Sequence, residues 1–166
     1  MSIRTRDECG CSLAAEVLEQ NGTVRLRVSG QSMLPTLWPG DTLTIQSKSL
    51  AEAEPGQLVL YDREGRFFVH RLISKSATND FFATRGDCMV ETDPVVPGKS
   101  FLGTVVCVTR GETLIVPDQR LSLTTRMLAI SLRRSGFLQR VVLRFHRPAA
   151  KKTFLPRLRR ISGGIE

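Results

Sequence analysis

The chain has 166 residues, with 24 Lys and Arg against 16 Asp and Glu and a formal net charge of +8. That length suits one domain with a hydrophobic core plus extensions, and it is short for two. Nowhere do about 18 apolar residues run together, which excludes a spanning helix, and Met1 to Glu8 mixes acids with bases ahead of no apolar stretch, unlike a secretory signal. A cytoplasmic protein is expected.

Cys9, Cys11, Cys88 and Cys107 form no Cys-x-x-Cys spacing, and His70 and His146 stand far apart with no further ligand types beside them. The cysteines read as reduced thiols, and neither a metal site nor a cofactor is expected. The charge is divided unevenly. Residues 1–118 hold 12 Lys and Arg against 15 Asp and Glu, a net of −3, whereas residues 119–166 hold 12 against one, a net of +11. A nearly neutral body with a strongly basic end suits an anionic partner.

In chain order, residues 7–20 suggest a short helix capped by Ser12 and closing at Asn21-Gly22, which makes residues 1–22 an N-terminal helical segment. Residues 23–28 alternate apolar or β-branched residues with arginines, as a half-buried strand does. Ser29-Gly30 breaks that strand, and Ser32 follows. A glycine here lets the backbone turn sharply and lets a substrate carbonyl come close to backbone N–H groups, so Ser32 is a candidate nucleophile with Gly30 and Gln31 shaping an oxyanion site. The plainer alternative is a surface serine on a turn. Pro39-Gly40-Asp41 turns the chain into a strand over 42–46, and Glu54 to Gln57 turns it again into 58–61. Asp62 to Gly65 is read as a hairpin turn.

The strand over 66–74 carries the second candidate. Alternation sets Phe68, His70 and Leu72 on one face and Phe67, Val69, Arg71 and Ile73 on the other. Imidazole changes protonation near neutral pH, which is what a general base for a serine requires; a core histidine bonded to a backbone carbonyl is the alternative. Another strand, 81–84, leads into Arg85-Gly86-Asp87 and a loop on which Asp87 and Asp93 stand six residues apart. Either carboxylate can orient the far nitrogen of His70, and either can be a turn-former. Strands over 101–108 and 113–116 close the body. Short strands with Gly- and Pro-rich turns through 23–118 make the fold class mainly β, a compact domain.

The basic end changes period. From Leu121 to Arg147 apolar residues recur at spacings of three and four, and Arg126, Arg133, Arg140 and Arg147 form one stripe. Residues 119–147 are therefore expected to be a basic amphipathic helix, packed on the body or lying peripherally on a membrane surface. Nucleic acid is the less favoured partner. Residues 148–166 read as a basic tail.

Several stretches together resemble a family. Val28-Ser-Gly-Gln-Ser32-Met33, followed by Pro35-Thr-Leu and Gly40-Asp41, resembles the nucleophile box of the signal peptidase I and LexA-like serine peptidases, the S24/S26 superfamily. Phe68-Val-His70-Arg-Leu72 stands where the bacterial members have Lys-Arg with lysine as base. The histidine is similar to that of the archaeal and endoplasmic-reticulum signal peptidases. In that branch a Gly-Asp box with a second aspartate six residues later completes a Ser-His-Asp set, as Gly86-Asp87 through Asp93 do here, so the resemblance favours Asp93 over Asp87.

It implies a signal-peptidase- or LexA-like β domain and a serine endopeptidase acting on a peptide or protein substrate. It also implies a shallow apolar pocket near Met33 for a small residue beside the cleaved bond. The chain departs from the family in showing no membrane anchor or DNA-binding domain before Ser32, and in having Gly30 where bacterial signal peptidases place a second oxyanion serine. LexA-like relatives cut their own chains before a glycine, which makes Cys9-Gly10 a candidate self-processing bond. The rival expectation is a non-catalytic β scaffold that docks through its basic end.

Overall fold

The computed structural model describes residues 6–118 and Ala129, with side chains from Leu13 onward. Apart from Ala129, the expected helix over 119–147 and the tail over 148–166 lie outside the described residues.

Helix α1, Arg6–Asn21, starts earlier than its sequence suggested, so Ser12 sits within it rather than at its cap. Gly22 ends it with φ +68°, a left-handed conformation that glycine adopts without Cβ strain. α1 contacts β1, β2 and β4 and buries Leu18 in the core. Cys9-Gly10 is part of this helix, not of an extended segment that could enter a protease cleft.

Among the described residues eight strands form one antiparallel sheet: β1 Thr23–Arg27, β2 Thr42–Ser47, β3 Leu58–Arg63, β4 Arg66–Lys75, β5 Phe81–Arg85, β6 Val96–Pro97, β7 Phe101–Arg110 and β8 Thr113–Ile115. Their order is β1-β2-β7-β3-β4-β5-β6, with β8 added to β7. Register shifts at Thr44/Ile45, Leu60/Tyr61 and Leu72/Ser74 bend the strands and increase local twist, which curls the sheet. The class is mainly β, as its alternating pattern indicated. The two-residue strand β6 had no signal in the sequence; it is placed by pairing with Phe81 and Phe82.

The curl makes two cores, and the period-two alternation of β3 shows how. Leu58 and Leu60 point into one core with Leu18, Met33, Leu37, Leu43 and Ile45, while Val59 and Tyr61 point into the other with Leu72, Phe82 and Phe101. β4 pairs with β3 across a tight turn in which Glu64 and Gly65 both take positive φ, 56° and 74°, the requirement of a two-residue hairpin whose twist matches its strands. Phe67 and Val69 therefore pack on the first core and Phe68 on the second. β4 runs along the boundary between the two cores, with His70 buried at 6 % exposure.

Candidate active site

The segment from Val28 to Asp41 leaves β1 and returns to β2 as a loop fastened at its neck. Val28 N–H donates to the Asp41 carbonyl and Gly40 N–H to the Val28 carbonyl, each at 2.8 Å. The Asp41 side chain, 2 % exposed, accepts from Trp38 N–H at 2.8 Å and from both Nε and Nη2 of Arg110, at 3.0 and 2.7 Å. Arg110 Nη2 also donates to the Thr36 carbonyl at 3.0 Å. Met33, Leu34 and Leu37 sink into the body beneath the loop, at 3 % exposure or less. These anchors hold Ser32 at the surface, next to exposed Gln31.

Ser32 Oγ lies 2.8 Å from Nε2 of His70, and Nδ1 of His70 lies 2.6 Å from Oδ2 of Asp93. The loop after β5 delivers the carboxylate. Asp93 N–H donates to the Thr84 carbonyl at 2.8 Å, and Thr84 Oγ1 donates back to Asp93 Oδ2 at 2.7 Å. Tyr61 OH sits 3.2 Å from Thr84 Oγ1 and 3.4 Å from both Asp93 Oδ2 and His70 Nδ1. Burial, and then the Asp93 charge, push the Tyr61 phenol above its ordinary value, so it keeps its proton.

Proton accounting selects one tautomer. An ionised carboxylate only accepts, so His70 Nδ1 carries the proton facing Asp93, and Nε2 is left with its lone pair toward the Ser32 hydroxyl. The edge-to-face contacts of Tyr61 and Phe68 with the His70 ring, at centroid separations of 6.3 and 6.2 Å, hold its plane.

Asp87, the other carboxylate expected near His70, is engaged elsewhere. Its two oxygens accept from Nε and Nη2 of Arg71, both at 2.8 Å, and Oδ2 also accepts from the Thr36 hydroxyl. The pair is buried, with side-chain exposures of 8 % and 3 %. Arg71 further donates to the carbonyls of Gly56 and Asp118. Both aspartates were legible as candidates, but their separate partners come from the fold.

Gly30 was expected to admit a substrate carbonyl to the backbone, and its surroundings are open. A Cβ there would meet nothing within 4 Å, whereas one on Gly86 would come to 2.6 Å from the Ser32 carbonyl oxygen and 3.1 Å from Ser32 Cβ. Cys88 N–H donates to that same carbonyl at 2.9 Å. Gly86 is thus the residue whose lack of a side chain lets the acid loop lie against the serine. Gly30 instead lines a cavity of about 380 Å³ that opens on Ser32 and His70, with Met33 also in its lining. Tyr61, Thr84 and Gly86 carried no site signal in the sequence beyond the Gly-Asp pair. Among the described residues no group of three or more His, Cys, Asp or Glu could hold a metal ion, and no helix among them is long and apolar enough to cross a membrane.

A serine, a histidine and an aspartate in hydrogen-bonded series on a curled antiparallel sheet define a protease-like fold of the LexA and signal-peptidase kind. The profile of the Peptidase S24-like family matches residues 3–83, and this match supports the S24/S26 serine peptidase superfamily for the chain. The matched span includes Ser32 and His70 and stops three residues before Gly86. No curated protein matches the chain.

Proposed function

We propose that this protein is a serine endopeptidase of the S24/S26 kind that hydrolyses peptide bonds with Ser32, His70 and Asp93. The observation that carries the reading is the continuous line from Ser32 Oγ to His70 Nε2 at 2.8 Å and from His70 Nδ1 to Asp93 Oδ2 at 2.6 Å. Ser32 Oγ attacks the scissile carbonyl while Nε2 takes its proton. The imidazolium so formed is stabilised by Asp93, and it returns the proton to the leaving amine. Water then repeats the sequence on the acyl-enzyme, with His70 again as base.

The developing oxyanion falls to the backbone N–H of Ser32, which donates to no backbone carbonyl among the described residues, with the Gly30-Gln31 backbone shaping the approach. Arg71 and Asp87 act in this reading by holding the acid loop against the nucleophile loop, not in proton transfer. The basic residues beyond 118 are read as a peripheral contact with an anionic membrane surface, on their net charge of +11.

A fluorophosphonate probe tests the reading, because it reacts with an activated serine and not with an ordinary surface hydroxyl. Labelling is expected at Ser32 of the native chain and is expected to be lost in Ser32→Ala and His70→Ala. Peptide cleavage by Ser32→Ala equal to that of the native chain would overturn the proposal. The family also has non-catalytic members; a native chain that neither labels nor cleaves would be one of them.

A further inference from the structure

We propose that the cleft beside Ser32 selects a bulky apolar side chain, of leucine or phenylalanine size, on the residue whose carbonyl is attacked, in place of the small residue that the sequence resemblance implies. This rests on the peptidase reading above and supplies its substrate class. The cleft that opens on Ser32 and His70 has a volume of about 380 Å³. Leu26 and Val28 line it from the β1 side, Phe67 and Val69 from β4, and Met33 and Leu37 from the nucleophile loop. Met33 and Leu37 are fixed in the core, at 3 % and 1 % exposure, so that part of the lining is preformed and does not need the substrate to shape it.

Size decides against alanine. A methyl group takes up a volume comparable to a water molecule's share of about 30 Å³, so it leaves most of such a cavity unfilled and its walls without contact partners. An extended peptide sends alternate side chains the same way. The residue under attack and the one two places before it therefore face the same walls, and two leucine-sized groups fit the space that two methyl groups would leave nearly empty.

Charge decides against lysine, whose chain is long enough to reach as deep. Among the described residues no carboxylate lines the cavity, and the charged residues in its lining are Arg27 and Arg66. An ammonium drawn into this cleft loses water, gains no counter-ion and meets two like charges.

The test uses four peptides identical except for Ala, Leu, Phe or Lys at the residue under attack. Their affinities for the Ser32→Ala chain are read by fluorescence anisotropy, and kcat/KM is read on the native chain. Each buried methylene is worth about fourfold, so Leu and Phe are expected to exceed Ala by at least about tenfold in both readings, with Lys below Ala. In Val69→Phe, checked for folding by its thermal melt, the added ring narrows the cleft and the advantage of Leu over Ala is expected to shrink at least about fivefold.

Ala bound or cleaved as well as Leu, or undetectable binding of all four peptides, would overturn the inference. A native chain that neither cleaves any peptide nor takes the fluorophosphonate overturns the peptidase reading instead. The binding order on Ser32→Ala then still decides the preference of the cleft.

Discussion

Replacing Asp87 and Asp93 in turn separates the jobs of two carboxylates that stand six residues apart on one loop. Asp87→Ala removes both carboxylate acceptors of Arg71 and leaves a guanidinium whose side chain is 8 % exposed without this counter-charge, while the Thr36 hydroxyl loses its acceptor. Breaking a buried ion pair by deleting one partner costs about 3–5 kcal/mol. At roughly 2–4 °C per kcal/mol for a chain of this size, the melting temperature should fall by about 6–20 °C. Asp93→Ala also removes hydrogen bonds, but its side chain is 16 % exposed and the neutral His70 and Thr84 it releases can take up water. Its stability loss should stay near about 1–2 kcal/mol. Activity reverses the order. Asp93→Ala frees the His70 tautomer and should lower the fluorophosphonate labelling rate of Ser32 by about 10³–10⁴-fold. Asp87→Ala, measured below its melting point, should lower it far less. Differential scanning fluorimetry and labelling kinetics on the same preparations make the comparison. An Asp87→Ala melt within about 2 °C of the native value, or labelling of Asp93→Ala within tenfold of native, would refute the assignment.

Three further outcomes follow from the same contacts. Gly86→Ala would put a Cβ 2.6 Å from the Ser32 carbonyl oxygen; the loop and the serine must part, so labelling should fall by at least tenfold, and native-level labelling would show that the loop is not seated there. Thr84→Val keeps the shape of a fully buried side chain but removes the donor to Asp93 Oδ2; a loss of about 1–2 kcal/mol in urea unfolding is expected, and an unchanged midpoint would count against the network. Tyr61 is the only tyrosine of the chain, so its phenolate absorbance reports one site. Its folded value lies above the ordinary 10.0, so the unfolded chain loses this proton first as pH rises. The stabilisation is full below about pH 10 and is lost as pH climbs through the folded value. Native protein should show delayed phenolate formation relative to protein in denaturant, and Tyr61→Phe should flatten the alkaline fall in stability.

What the sequence made legible is what local pattern and chain order can carry. Alternation over 23–28, 42–46 and 66–74 and the apolar run 58–61, with turns at Gly40, Gly56 and Gly65, mark strands β1 to β4, because burial on one or both faces leaves that imprint. Ser32, His70 and the pair Asp87 and Asp93 stood out through their residue types and order. Their grouping is non-local: the resemblance favoured Asp93 over Asp87 for His70, but no local pattern pointed to the pairing of Asp87 with Arg71. Tyr61 and Thr84 look like ordinary strand residues, and they are; their hydroxyls matter only because the β3-β4-β5 pairing and the return of the loop bring Asp93 between them. Gly30 drew attention for lying two residues before the serine, while Gly86, far off in sequence, is the glycine pressed against it. The two-residue β6 is too short for any periodic signal.

The placement of two unlike side chains side by side on β4 gives the site its rigidity. Successive residues of a strand point to opposite faces, so His70 and Arg71 are presented in opposite directions from one rigid element. The single loop from Gly86 to Asp93 answers both: Asp87 takes the Arg71 guanidinium and Asp93 takes the His70 ring. That loop grips the strand at two points, and its Cys88 N–H and Asp87 carboxylate reach the Ser32 carbonyl and the Thr36 hydroxyl of the nucleophile loop. The opposite end of the nucleophile loop is fastened independently, by Arg110 of β7 on Asp41. Each member of the Ser32-His70-Asp93 line is therefore positioned by contacts that do not pass through the other two, which is the condition for a hydrogen-bonded series to be held ready before a substrate arrives. A neutral residue in place of Arg71 would remove one of those two grips and leave Asp93 held by the Thr84 carbonyl and hydroxyl, as Asp87→Ala does from the other side of the pair.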